Sequence, residues 1–447
     1  MTNGVIWKQL LEFSIPMAIG LLFQQLYNTV DTIVVGRYVG KEALAAVGST
    51  GSIINMLVGL CAGLATGAGV VISQCYGAHD NKRLGEAVHT TILGTFIMCA
   101  MATAVGVLIV RPMLTFMDTP ADVFAQAEEY LTIYFAGVSG LLIYNMGSGV
   151  LRAVGDSQRP LYFLCTSAVV NVGLDLLFVI QFHMGIAGVA YATVISQLIS
   201  AGLVLFSLTH TDAPYGVRWK RLRVQGGMLK RILGIGLPSG LQQAITSFSN
   251  VFVQSYINFF GSTCMAGWST YNKLDVFLLI PVQSIALAST TFVGQNVGAN
   301  QLDRARQGVN KSLGMALAIT APLSILLIIC DKWLLMLFTT DAAIIEFGER
   351  FITLIAPFYL TICFNQILAG ALRGVGDART PTLIMLFSFV AFRQLYLLVN
   401  KFLGNAFVPV ALAYPMGWVV CSLLMIIFYR RSALCRTQEQ PCVVEQT

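Results

Sequence analysis

Charge is what this chain has little of. Asp, Glu, Lys and Arg make up 11% of its 447 residues, against 56% aliphatic, aromatic and cysteine residues. An ordinary soluble domain carries roughly 25% charge. A surface facing water needs that charge, so its scarcity excludes a soluble fold and makes lipid the principal solvent. Histidine is also scarce: His79, His89, His183 and His210 all fall near the ends of apolar stretches. A deep histidine ligand cluster is thereby excluded, and with it an intramembrane enzyme built on a Ser/His dyad or an HExxH zinc site. No CxxC or Cys/His spacing suggests metal either. Cys61, Cys75, Cys99, Cys165, Cys264, Cys330, Cys363 and Cys421 lie in or at the ends of apolar runs, where a small hydrophobe belongs. The start lacks a small-residue cleavage site. Trp7, Leu10 and Leu11 alternate with Lys8, Gln9 and Glu12, which reads as an amphipathic lead-in at a membrane interface.

Long apolar runs are what the chain has instead. They recur from end to end, and each is long enough to cross a hydrocarbon core. Twelve spans are expected, at 14–37, 46–76, 88–111, 126–151, 160–182, 186–208, 231–260, 266–296, 308–330, 345–371, 381–402 and 407–430. With both termini cytoplasmic, the inner loops hold about three times as many Lys and Arg as the outer ones, as the positive-inside rule requires. The loop after the sixth span alone contributes Arg218, Lys220, Arg221, Arg223, Lys230 and Arg231. Topology accounts for the net charge of +6, so no nucleic-acid partner is expected.

The chain also repeats itself. Gly149-Val-Leu-Arg-Ala-Val-Gly-Asp-Ser-Gln-Arg-Pro160 returns as Gly370-Ala-Leu-Arg-Gly-Val-Gly-Asp-Ala-Arg-Thr-Pro381, at an offset of 221. Gln74, Gly77, Ala78 and Arg83 return as Gln295, Gly298, Ala299 and Arg304 at the same offset, and Pro16 and Asn28 as Pro238 and Asn250 at 222. A constant spacing over so many residues marks an internal repeat. Six spans per half is an even number, so the halves share one orientation. This is the parallel-repeat plan of a rocking transporter, an all-α membrane protein of two six-helix lobes related by a pseudo-twofold axis along the membrane normal. The lobes are expected at 1–208 and 231–431, with a basic cytoplasmic linker at 209–230 and a polar tail at 432–447. In the repeated motif, Gly155 and Gly376 permit a turn, Asp156 and Asp377 bond nearby amides, and Pro160 and Pro381 open the next helix.

Polar residues inside a span are costly and therefore informative. The first span carries Gln24, Asn28 and Asp31 on one helix face, with Tyr27 beside them. The fifth carries Asn171 and Asp175, one turn apart, and the sixth Thr193, Ser196 and Gln197. Two carboxylates on separate helices, each with an amide one turn away, suit an ion or proton site. Desolvation and a like-charged neighbour both work against ionisation, so such a pair can load and release a proton; with amide and hydroxyl oxygens it can instead coordinate sodium. A helix-to-helix hydrogen bond is the structural alternative. The second half has no counterpart to Asp31. Its charges are Lys273 and Asp275 in the eighth span and Arg393 in the eleventh, expected to pair across a central cavity or to face a charged substrate.

At these residues the sequence resembles the multidrug and toxic compound extrusion (MATE) exporters. The most specific segments are Tyr27-Asn-Thr-Val-Asp-Thr-Ile-Val-Val-Gly-Arg37, Ser73-Gln-Cys-Tyr-Gly-Ala78, Leu151-Arg-Ala-Val-Gly-Asp156 and Thr291-Phe-Val-Gly-Gln-Asn-Val-Gly-Ala299. The resemblance implies two six-helix lobes around a V-shaped cavity in the bacterial inner membrane. It also implies export of organic, often cationic compounds against inward sodium or protons, with no cofactor, by a chain acting as a monomer. The DinF-like branch of that family keeps its coupling carboxylates in the N-terminal lobe. Asp31 and Asp175 match them, with Asn171 and Thr193 completing the set and Pro16 matching a bending proline. The other branch uses acids in the seventh and tenth spans; here those spans offer Asn250, Gln254, Asn365 and Gln366. A lipid-linked oligosaccharide flippase of the same superfamily is the alternative, though such chains carry extra spans and a more cationic cavity.

Overall fold

Away from water, a backbone can satisfy its own N–H and C=O groups along one segment only as a helix, and the apolar runs of this chain do so. The computed structural model describes residues 1–117 and 119–436. Among the described residues every regular element is helical. The helices are α1 Ile6–Val34, α2 Lys41–Gly77, α3 Asn81–Phe116, α4 Ala121–Ala136, α5 Ser139–Ala153, α6 Gln158–Asp175, α7 Gly185–Thr209, α8 Gly226–Asn258, α9 Ser262–Gly298 and α10 Leu302–Ile329. They continue with α11 Asp331–Met336, α12 Ala342–Ile355, α13 Tyr359–Val375, α14 Arg379–Leu386, α15 Arg393–Phe402, α16 Phe407–Ala411 and α17 Ala413–Arg430. From residue 437 the expected polar tail lies outside the described residues.

Ten of these segments are long and apolar enough to cross a membrane; some join two helices, as Ala342–Val375 does. The pair α4 and α5, bent by 46° at their junction, makes an eleventh. The span expected at 231–260 is α8, whose 33 residues suffice in length. Gln242, Gln243, Thr246, Ser247, Ser249 and Asn250 interrupt its apolar character, so α8 falls outside the ten segments and the apolar run expected there is broken by polar residues.

The repeat in sequence is a repeat in backbone. Gly155 and Gly376 both take positive φ, 98° and 106°, a conformation that favours glycine. The next amide then closes back on the helix it leaves: Asp156 N–H donates to Leu151 O and Asp377 N–H to Leu372 O, each at 3.0 Å. Asp156 Oδ1 accepts from the amides of Gln158 and Arg159 at 3.1 Å, and Asp377 Oδ1 from that of Thr380 at 3.0 Å. The motif is a structural corner in both copies. His79 and Asn300, also 221 apart, share a left-handed φ of 54° and 56°.

The chain forms two compact units, and their boundaries fall inside helices. One is Ile15–Ala244; the other joins Met1–Ser14 to Ile245 and beyond. In the first, the beginning of α8 lies against α2 at two glycine pairs. A Cβ on Gly67 would meet Ile232 O at 2.6 Å, and one on Gly240 would meet Leu60 O at 2.8 Å. Gly63-Leu-Ala-Thr-Gly67 facing Gly236-Leu-Pro-Ser-Gly240 is the small-residue packing by which helices approach closely in lipid. In the second, Met1–Ser14 is tied down by Arg304, whose Nη2 donates to Gly4 O at 2.9 Å and Gln9 Oε1 at 3.1 Å. The Met1 amino group donates to Gln295 Oε1 at 2.7 Å; burial, then the Arg304 charge, holds its pKa below the ordinary value. The matching glutamine, Gln74, accepts from Arg231 Nη2 at 3.1 Å. The two glutamines, 221 apart, thus each accept from a cationic group, the Met1 amino group and the Arg231 guanidinium.

Candidate functional site

In the unit Ile15–Ala244 two acids meet. Asp175 is the last residue of α6, and a π-helical turn, Leu176–Gln181, follows it directly. Asp31 stands four residues before a second such turn, Val35–Val39. Turns of this kind interrupt the regular ladder and concentrate at functional sites. Asp175 is fully buried and Asn171 is 1% exposed. Both oxygens of Asp175, Oδ1 of Asp31, and both polar atoms of the Asn171 amide are shut from solvent without a hydrogen-bond partner among the described residues. The two carboxyls are immediate neighbours. Tyr130 of α4 lies within electrostatic reach of both, and Tyr27, near Gln24, lies within reach of Asp31. Thr193 on α7 is buried, with its hydroxyl donating to Val189 O at 3.0 Å. Ser167 Oγ donates to Ser196 O at 2.7 Å, fastening α6 to α7.

The structure therefore brings Asp31 and Asp175 together, with Tyr27, Gln24 and Tyr130 around them and Asn171 one turn below Asp175. Asn28 is exposed on α1 instead of turned in with them. Pro16 lies inside α1, about 22 Å along the helix from Asp31 at 1.5 Å per residue. It can act on the pair only through the helix. Tyr130 is a site residue that the sequence reading passed over; its spacing of four from Tyr134 on α4 was the available signal, and the two rings are 6.4 Å apart.

In the other unit the charges do not pair, which corrects the expectation for Lys273, Asp275 and Arg393. Asp275 Oδ1 accepts from the hydroxyls of Tyr271, at 3.2 Å, and Tyr359. Those hydroxyls are 2.8 Å from each other. Arg393, 3% exposed, donates through Nη2 to Ser249 Oγ at 3.0 Å and Asn250 Oδ1 at 2.7 Å. Its guanidinium lies 4.7 Å from the centre of the Tyr414 ring. Lys273 is exposed, its Nζ 5.3 Å from the centre of the Phe338 ring. Among the described residues no ion pair includes any of the three. The helical period explains part of this: Lys273 and Asp275 are two positions apart, so they point to opposite sides of α9, whereas Tyr271 stands one turn before Asp275 on its own face. Arg393 opens α15 and turns to α8.

Two segments of the chain match one family pattern, residues 16–177 and 238–394, that of MatE. They begin at the paired prolines Pro16 and Pro238. The chain belongs to the MatE family. Its relatives are membrane transporters, not enzymes. A probable multidrug resistance protein of Bacillus subtilis (strain 168), YoeA, is 28% identical over 95% of this chain and 94% of its own length. A FAD transporter of Shewanella oneidensis is 25% identical over 83% of this chain and 82% of its own. Among solved structures, a MOP superfamily transporter from Pyrococcus furiosus superposes with a TM-score of 0.92 at 22% identity, over 98% of both chains. That likeness shows the same all-α fold. This MatE protein is thus a multi-pass membrane transporter, and two of its intramembrane acids stand side by side in the first repeat.

Proposed function

We propose that this MatE transporter is a secondary antiporter that exports amphipathic, often cationic organic compounds in exchange for inward protons or sodium. The observation that carries the reading is the Asp31–Asp175 pair. Two carboxylates are acceptor-only groups, and side by side in a buried place they are completed by a shared proton or by a cation between them. Asn171, with a free amide oxygen one turn away, supplies a further ligand for the cation. Binding there removes a repulsion, and an ion moves a conformational equilibrium only through such a difference between states. Two repeated six-span halves that rock about a central site are the frame for that coupling. The substrate class follows the multidrug relatives, and the excess of Lys and Arg in one set of loops supports cytoplasmic termini in a bacterial inner membrane.

The test is dye and drug accumulation in everted vesicles, with a pH gradient and a sodium gradient imposed separately. Uptake should follow one of them and collapse when it is dissipated. Accumulation that ignored both gradients and required ATP would sink the antiport reading.

A further inference from the structure

A second site lies in the unit Ile15–Ala244, where the N-terminal end of α3 meets the segment that leads from α7 to α8. It is a cavity of about 430 Å³ lined by Lys82, Glu86, Asp212, Arg218, Arg221 and Arg223, among others. The wall is fixed in advance. His89 Nε2 accepts from Arg218 N–H at 3.1 Å, and its Nδ1–H donates to Gly85 O at 2.6 Å. Thr90 Oγ1 accepts from Gln225 N–H at 3.1 Å and donates to Arg223 O at 3.4 Å. Val217 N–H donates to Leu208 O at 2.8 Å. The arginine stems therefore rise from a backbone clamped at both ends. Arg218 has a partner in Asp212 at 3.2 Å, an exposed pair that contributes little. Among the described residues no ion pair engages Lys82, Arg221 or Arg223. Four cations against two acids leave the cavity electropositive.

The geometry points to a phosphodiester ligand in this cavity, the headgroup of an anionic phospholipid. Guanidinium forks suit phosphate oxygens, and free phosphate shares that chemistry, but the surroundings favour lipid. Trp219 lies between Arg218 and the other arginines, 56% exposed, with its ring 6.2 Å from that of Phe96. An exposed tryptophan among cations is the side-chain pattern of a membrane interface. The cavity opens at the end of α3, the least buried of the candidate spans. Ile97, Met101, Val105 and Leu108 continue along that helix as an exposed apolar stripe on which acyl chains can lie. Basic pockets at the ends of membrane helices hold anionic headgroups in this way.

Native mass spectrometry of the full chain in mixed micelles, with phosphatidylglycerol and phosphatidylcholine in equal amounts, tests it. The wild type should retain phosphatidylglycerol in preference. Arg221→Gln and Arg223→Gln should each weaken retention about fivefold, and the triple variant with Lys82→Gln by at least about tenfold, from the contribution of each cation near an anionic group. The charge-matched triple Arg430→Gln, Arg431→Gln, Arg436→Gln should retain the lipid, and all variants should melt like the wild type. Equal loss in the charge-matched control would reveal diffuse attraction and overturn the site. So would unchanged retention in the single variants. Displacement of the lipid by inorganic phosphate or glycerol 3-phosphate would reassign the cavity to a soluble ligand.

Discussion

Asp275 and the Asp31–Asp175 pair are carboxylates within helical units of one repeated design, yet they are completed in opposite ways. Asp275 has two phenol donors, Tyr271 and Tyr359, which also lie within hydrogen-bond reach of each other. A buried polar network in which every member has a partner rigidifies its surroundings. Asp31 and Asp175 are neighbours, and among the described residues neither oxygen of Asp175 nor Oδ1 of Asp31 has a donor. Such an arrangement is costly unless something mobile completes it. On the function proposed above, the difference separates a carboxylate that holds structure from a pair positioned to take up a proton or cation. It also shows why burial alone does not identify a coupling site: the supply of donors decides.

The comparison breaks most sharply at the pair itself. Asp31→Asn and Asp175→Asn keep size and hydrogen bonding but remove the charge that a proton or sodium would satisfy. Each should lower gradient-driven export by about tenfold to a hundredfold, the usual span of coupling between sites. Equilibrium drug binding, measured by fluorescence on the purified protein, should change little. Asn171→Ala removes an oxygen ligand and no charge, so its loss should be smaller. If both aspartate variants exported at the wild-type rate, the two acid sites would not differ in the way described.

A smaller effect is expected at the satisfied site, and in another measurement. Tyr359→Phe removes a donor from Asp275 and leaves that carboxylate short of a hydrogen bond. The cost should be about 1–3 kcal/mol of stability, read as a lower melting temperature in detergent, with coupling ratio and ion dependence intact. A Tyr359→Phe protein as stable as the wild type but uncoupled would exchange the roles of the two sites.

Much of this arrangement is legible in the sequence, for identifiable reasons. An acid inside an apolar run is costly, so Asp31, Asp175 and Asp275 stand out before any fold is known. The repeat locates the corners at Gly155 and Gly376. Partnership is less legible. Tyr359 is one of 15 tyrosines and reaches Asp275 from α13, far away in the chain. Asn250 appears first as a polar residue in a span that lacks the acid of the other branch; only the packing of α8 against α15 makes it an acceptor for Arg393. The helical period does place Lys273 opposite Asp275, and the expectation of an ion pair gave that rule too little weight. The boundaries of the compact units, inside α1 and α8, depend on tertiary contacts that no local pattern reports.

The finest test of the comparison concerns Arg393 and Asp275, where the expected result is close to nothing. Had the two formed a buried ion pair, removing either partner would strand the other's charge, at about 3–5 kcal/mol, and removing both would recover much of that. In the structure each has its own partners: Asp275 the phenols, Arg393 the Ser249 hydroxyl, the Asn250 carbonyl and the Tyr414 ring. Arg393→Gln should then cost what its own hydrogen bonds are worth, and Asp275→Asn a smaller amount, because an amide oxygen still accepts from a phenol. Residues without shared partners combine additively. The double variant should therefore melt where the two single shifts add, with a coupling energy below about 0.5 kcal/mol. Tyr414 lies within electrostatic reach of both charges, and it limits how near zero the coupling can fall. Repeating the cycle in a Tyr414→Phe background leaves the ring in place and removes the hydroxyl, and any residual coupling should shrink further. A coupling of several kcal/mol would mean that Arg393 and Asp275 do pair in the folded protein.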